Sequence, residues 1–175
     1  MRVTSGTLKG RKLTIPEGRD IRPTKGIAKE SLFNMLRARA NLANVARAVD
    51  LFAGVGSLGL EALSNGVRHV TFVDTDPRPA YANATAMDVE PGRFTTQRAD
   101  AGTFVPAEPF DVILADPPYG EGWVEKLLTR KDELGKAGTL WALEMERHAT
   151  YSSDGFEVLK DKTFGKSKVV LLLQK

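Results

Sequence analysis

The sequence predicts an α/β fold: a mostly parallel sheet wrapped by helices, preceded by a small β-hairpin and a basic helix. Three observations carry this. From residue 46 onward short β-prone apolar runs alternate with helical patterns, the signature of a parallel sheet. The first of those runs ends on an acid, Asp50, and passes into glycines that open a helix. The chain closes with two β-rich runs joined through Gly165, read as an antiparallel hairpin on the sheet edge.

Residues 3–15, with Gly6 and Gly10 between β-prone stretches, predict the N-terminal hairpin. Residues 17–26 carry glycines, a proline and charges with little apolar content, and predict a loop. Ala28, Leu32, Phe33 and Leu36 recur at helical spacing and predict a basic helix over 24–40. Strands are expected at 48–52, 69–73, 94–98, 112–115 and 140–145, with helices at 58–65, 77–88 and 122–134. Asn65-Gly66 supplies a left-handed stop for the first of these helices. Asp76 as N-cap with Pro77 at the first helical position starts the second. The closing strands are expected at 156–162 and 168–174.

The 175 residues suit one domain, enough to bury roughly two-thirds of the unfolded surface. Apolar and charged fractions of 42% and 27% are ordinary for a water-soluble protein, no apolar run is long enough to span a membrane, and the N-terminus has no export pattern. A cytoplasmic location is expected. With no cysteine and only His69 and His148, a disulfide, a thiolate nucleophile and a metal centre are not expected. The net charge of +3 is uneven: residues 1–40 hold ten basic side chains against three acids, a balance of +7, and the remainder fifteen against nineteen, −4. A basic front end fits a polyanionic partner, and it equally fits a solvated basic arm.

Residues 50–62 read DLFAGVGSLGLEA, with Gly54, Gly56 and Gly59 in G-x-G-x-x-G spacing. Such a loop brings ligand to backbone without a Cβ in the way. A dinucleotide would place its pyrophosphate on the loop amides and its ribose on an acid about 20 residues onward, where Asp74 stands. Asp50, however, sets a carboxylate at the strand end, where a pyrophosphate meets like charge. S-adenosylmethionine (AdoMet) carries an ammonium and a sulfonium and no phosphate. Asp50 for the positive end and Asp74 for the ribose fit it better, unless both acids only cap loops.

A third feature is FDVILADPPYG at 110–120. Two prolines fix an extended turn after Asp116, at the strand end where open α/β folds bind ligands. The Asp116 carboxylate and the Pro117 carbonyl can accept the two N–H bonds of an exocyclic amino group while Tyr119 stacks on its ring. A Pro-Pro turn with a packed tyrosine is the alternative.

DLFAGVGSLGLEAL, FVDTDP and DPPY, in this order, resemble class I AdoMet-dependent methyltransferases acting on amino groups. GRKLTIP, RPTKGIAKESLFNML and GKSKVVLLLQ narrow the resemblance to the RsmD family, which methylates the N2 of one guanine in small-subunit ribosomal RNA. The resemblance covers nearly the whole chain and implies a seven-stranded Rossmann-like domain at 41–175 behind an RNA-binding extension at 1–40. It also implies AdoMet as cofactor, 16S rRNA in a partly or fully assembled 30S particle as partner, and no membrane; a monomer is expected. By position, Asp50, Phe52, Gly54 and Gly56 would line the methionine end, Asp74 the ribose, and Asp100 and Ala101 the adenine. Asp100 also suits an N-cap. Asp116, Pro117 and Tyr119 would hold the guanine, and Arg11, Lys12, Arg22, Thr24 and Lys29 would contact RNA, although Lys29 also fits a solvent-facing helix position. The chain departs from the family pattern at Lys25-Gly26, which predicts a looser helix start. Glu144 has no assigned role.

The other readings are an adenine-N6 methyltransferase of DNA or RNA, a protein glutamine methyltransferase, a dehydrogenase and a non-catalytic RNA-binding module. The last leaves the glycine loop, two strand-end acids and the Asp116 to Tyr119 segment without purpose.

Overall fold

The computed structural model describes residues 1–18 and 24–175. Seven strands form one sheet in the order β3-β2-β1-β4-β5-β7-β6. β1 (Arg47–Leu51), β2 (His69–Asp74), β3 (Phe94–Arg98), β4 (Val112–Ala115) and β5 (Leu140–Glu146) run parallel. β7 (Ser167–Gln174) is antiparallel to both β5 and β6 (Phe156–Phe164). The expected α/β architecture and edge hairpin are observed, with element ends moved by a residue or two. Among the described residues no helix is long and apolar enough to cross a membrane.

Side chains alternate across each strand, so the sheet divides two apolar layers. Ala48, Val70, Phe72, Leu114 and Ala142 face α1 (Thr24–Arg39), α2 (Ser57–Ser64) and α3 (Arg78–Ala86). Val49, Leu51, Ile113, Trp141 and Leu143 face α4 (Trp123–Leu128) and α5 (Lys131–Leu134). β2 and β3 lie on one flank of β1, and the chain then returns to place β4 on its other flank. The strand order therefore reverses between β1 and β4, where sheets of this kind open a ligand crevice at their carboxyl ends.

Three expectations change. The N-terminal hairpin reduces to one antiparallel bridge, Arg2 with Lys12, with Val3 donating to the Arg11 carbonyl at 3.0 Å. Its turn amides bond elsewhere: those of Thr4 and Ser5 go to the Glu61 carboxylate and those of Thr7 and Leu8 to Ser64, so the segment is stitched to α2. The single helix expected at 122–134 breaks into α4 and α5. At the break Arg130 sends its guanidinium to the carbonyls of Ala101, Gly102 and Phe104, a tertiary demand that local propensity does not encode. α3 begins one residue later than expected, at Arg78, whose amide donates to Asp76 Oδ1 at 3.3 Å. α1 takes Gly26 into its first turn.

Candidate functional site

The carboxyl ends of β1, β2 and β4 bring three aspartates together. Asp50 is 1% exposed and its Oδ2 accepts from the Gly59 amide at 2.8 Å, which fastens the end of β1 to α2. Burial pushes its carboxyl up to about 8; the Gly59 amide opposes this, while the charges of Asp116 and Asp74 add to it. Asp74 holds the same loop from the neighbouring strand, with Oδ2 accepting from Gly54 at 2.8 Å and Oδ1 from Asp76 at 2.9 Å. The capping role considered for both acids is thus present. Asp50 and Asp74 also set carboxyl groups beside Gly54 and Gly56, which take positive φ of 54° and 81°. Phe52 adopts φ 60°, uncommon for a residue with a side chain and a form of local strain seen at binding sites.

Asp100 Oδ1 accepts from the Gly102 amide at 2.7 Å and starts the turn that follows, so its expected capping role is observed. Ala101 is buried beside it, and Arg130 holds this turn from beneath through its three carbonyl bonds. Trp123 opens α4 directly after the Asp116 segment and joins the two loops. Its ring meets Phe52 edge-on with centroids 5.0 Å apart, and a Cβ added at Gly102 would come within 2.9 Å of it. Neither Arg130 nor Trp123 stood out in the sequence, because each acts on a loop remote from it along the chain.

Asp116, Pro117 and Tyr119 follow β4 immediately. Pro117 and Tyr119, with Trp123, Met145 and Thr150, line a small open hollow. The Tyr119 hydroxyl lies 3.5 Å from Glu144 Oε1, and the Gly120 amide donates to Glu146 Oε1 at 3.1 Å. Glu144, unassigned from sequence, is a buried carboxylate that steadies the tyrosine from the end of β5. The clustered carboxyl groups suit a cationic ligand, which favours the ionised form of Asp50, better than an anionic one, which would raise the cost of ionising it. On its own residues, then, the crevice fits AdoMet better than a pyrophosphate.

The expected RNA-contact residues separate. Lys12 is exposed. Arg11 is half-exposed and bonds to the Ala86 carbonyl and Asp88. Arg22 and the side chain of Thr24 lie outside the described residues. The expectation for Lys29 is corrected: it is 2% exposed, pairs with Glu61 at 3.1 Å and donates to the Arg2 carbonyl at 2.8 Å. A charge committed to a buried pair is not available to a phosphate.

Known proteins resemble this chain in sequence and in fold. A family model described as conserved hypothetical protein 95 matches residues 1–173. YlbH of Bacillus subtilis (strain 168), described provisionally as an rRNA methyltransferase, is 39% identical over 147 residues, covering 76% of this chain and 74% of that protein. Ribosomal RNA small subunit methyltransferase D of Escherichia coli (strain K12) is 30% identical over 138 residues, covering 77% and 68%. A solved structure of the Escherichia coli protein yhhF, described provisionally as a methyltransferase, matches with a TM-score of 0.84 and 27% identity, covering 100% of this chain and 98% of that one.

Proposed function

Because the chain belongs to the RsmD family of class I methyltransferases, we propose that it transfers a methyl group from AdoMet to the exocyclic N2 of one guanine in small-subunit rRNA. The relatives support AdoMet-dependent methylation of rRNA, and the choice of guanine N2 follows the family resemblance; the site itself suits an exocyclic amino group, which guanine N2 and adenine N6 share. One observation carries the placing of cofactor beside an amino acceptor. The acidic glycine loop after β1 and the Asp116 to Tyr119 segment after β4 end adjacent strands, at the point where the strand order reverses.

When bound, AdoMet supplies an electrophilic methyl on a sulfonium. Asp50 and Asp74 would offer carboxylates to its positive end and its ribose, and Asp100 and Ala101 would hold the adenine. The Asp116 carboxylate and the Pro117 carbonyl accept the two N–H bonds of the target amine and so direct its lone pair outward. Tyr119, steadied by Glu144, stacks on a base that has left its own stack. Positioning supplies most of the catalysis, since an aryl amine held at attack distance needs no prior deprotonation. Arg11 and Lys12 are the described candidates for phosphate contacts, and residues 1–40 act as the RNA-binding extension of the catalytic part at 41–175.

The test is methyl transfer from labelled AdoMet to partly assembled small ribosomal subunits lacking the modification, followed by nucleoside analysis. Label recovered as N2-methylguanosine at a single site is the expected result. Label recovered as N6-methyladenosine, or in protein, overturns the assignment of the acceptor.

A further inference from the structure

We propose that Asn83 is a positioning residue that joins the cofactor loop to the N-terminal segment, so that occupancy of the loop governs how that segment is held for RNA. The inference rests on the functional reading above and adds to it a linkage between the two ligands.

Asn83 lies inside α3, is 2% exposed, and uses its whole amide on backbone from two other parts of the chain. Its Nδ2 donates to the Val55 carbonyl at 2.9 Å and to the Thr14 carbonyl at 3.0 Å. Its Oδ1 accepts from the Thr14 amide at 2.8 Å. Val55 stands between Gly54 and Gly56, the residues that set the loop. Thr14 follows Leu13, which is 1% exposed in the core, and opens the stretch that leads through 15–18 towards the basic residues beyond. A single side chain therefore spans from cofactor loop to N-terminal segment.

Asparagine gains nothing for the helix here: it is a weaker helix former than alanine, and burial removes its contact with water. Its bonds answer a tertiary need. All three must persist together, because a buried amide that loses a partner is left unsatisfied at a cost. A ligand that fixes the loop fixes the Val55 carbonyl, the Asn83 amide follows, and with it the paired N–H and C=O of Thr14. Linkage makes the effect reciprocal, so RNA that fixes the segment tightens the cofactor by the same factor.

The test measures hydrogen exchange over residues 12–18 in the full chain, with and without S-adenosylhomocysteine, which lacks a transferable methyl. Affinity for an unmodified small-subunit rRNA transcript is measured under the same two conditions. In the wild type, saturation is expected to slow exchange and to raise RNA affinity, each by about five-fold or more. Asn83→Asp keeps the acceptor for Thr14 but loses both donations. Thr14→Pro removes the Thr14 N–H, so Asn83 Oδ1 loses its partner, and leaves the bonds to the Val55 and Thr14 carbonyls in place. The ratio between the two conditions is expected to fall to about one in Asn83→Asp and to fall clearly below the wild-type ratio in Thr14→Pro, whatever happens to the baseline, and Thr14→Pro is expected to bind S-adenosylhomocysteine as the wild type does. If Asn83→Asp does not fold, Thr14→Pro decides. An undiminished ratio in a folded variant overturns the proposal, as does a wild type that binds S-adenosylhomocysteine with no change in the segment. A wild type that binds no S-adenosylhomocysteine overturns the functional reading and this inference with it.

Discussion

Asp50 shows how folding changes the chemistry of one residue. Its carboxyl rises from 3.8 to about 8, chiefly because burial penalises the charged form. A carboxyl with a raised folded pKa holds its proton in the folded state while the unfolded chain has lost it. Its contribution to stability is therefore greatest in acid and declines as pH climbs from about 4 to about 8. Asp50→Asn should flatten that decline between pH 5 and 8 in urea titrations, a range above the ordinary carboxylate region where other acids contribute. A cationic ligand favours the ionised form, so AdoMet binding at pH 7 should release protons. Calorimetry in buffers of different ionisation heat reads this directly; identical heats would show that the ligand's charge does not meet Asp50. Asp116→Ala should abolish methyl transfer while leaving AdoMet affinity within about two-fold, because the residue is assigned to the acceptor amine. Loss of both would show that Asp116 serves the cofactor instead.

Among the elements, α1 and α2 are joined by a buried ion pair that fixes the N-terminal segment. Burial pushes Glu61 up, but the Thr4 amide, the Ser5 hydroxyl and Lys29 outweigh it and hold the carboxyl below its ordinary value. Lys29→Met leaves that buried carboxylate without its cation and should cost about 3–5 kcal/mol in chemical denaturation. Arg11→Ala breaks an exposed pair with Asp88 and an exposed bond to the Ala86 carbonyl and should cost about 0–1 kcal/mol. The sequence held a sign of this. Lys29, Phe33 and Leu36 follow an i, i+4, i+7 spacing, so Lys29 shares the stripe that faces inward. Its charge argued for solvent, and only the arrival of Glu61 and the Arg2 carbonyl reverses that. Gly59 makes the reverse case, legible as the third glycine of the loop, where α2 crosses the sheet closely. A Cβ there would lie 2.3 Å from Phe72 Cε1, so Gly59→Ala should destabilise the fold by about 1–3 kcal/mol, measured by the same titrations.

At the scale of the whole molecule, a ligand that binds only the folded state raises the melting temperature. At 100 times its dissociation constant AdoMet should add about 2.7 kcal/mol. For a chain of this length that corresponds to a rise of roughly 5 °C or more, with no rise for NAD. An equal rise with NAD would return the glycine loop to the dinucleotide reading. The sheet, its hairpin and the acids at its strand ends were legible because each depends on neighbours within about ten residues: a β-prone run, its turn, the helix that follows. The strand-end position of Asp50, Asp74 and Asp116 thus came from local pattern, and with it the kind of ligand that the crevice suits. The pairing of Lys29 with Glu61, the hold of Arg130 on the turn after Asp100, and the joint from Asn83 to Thr14, 69 residues apart, did not. Those contacts depend on which helix covers which face of the sheet and on which backbone groups are then left to satisfy. Local pattern determined where the chemistry stands; the packing of distant segments decided which charges are buried and which loops are tied together.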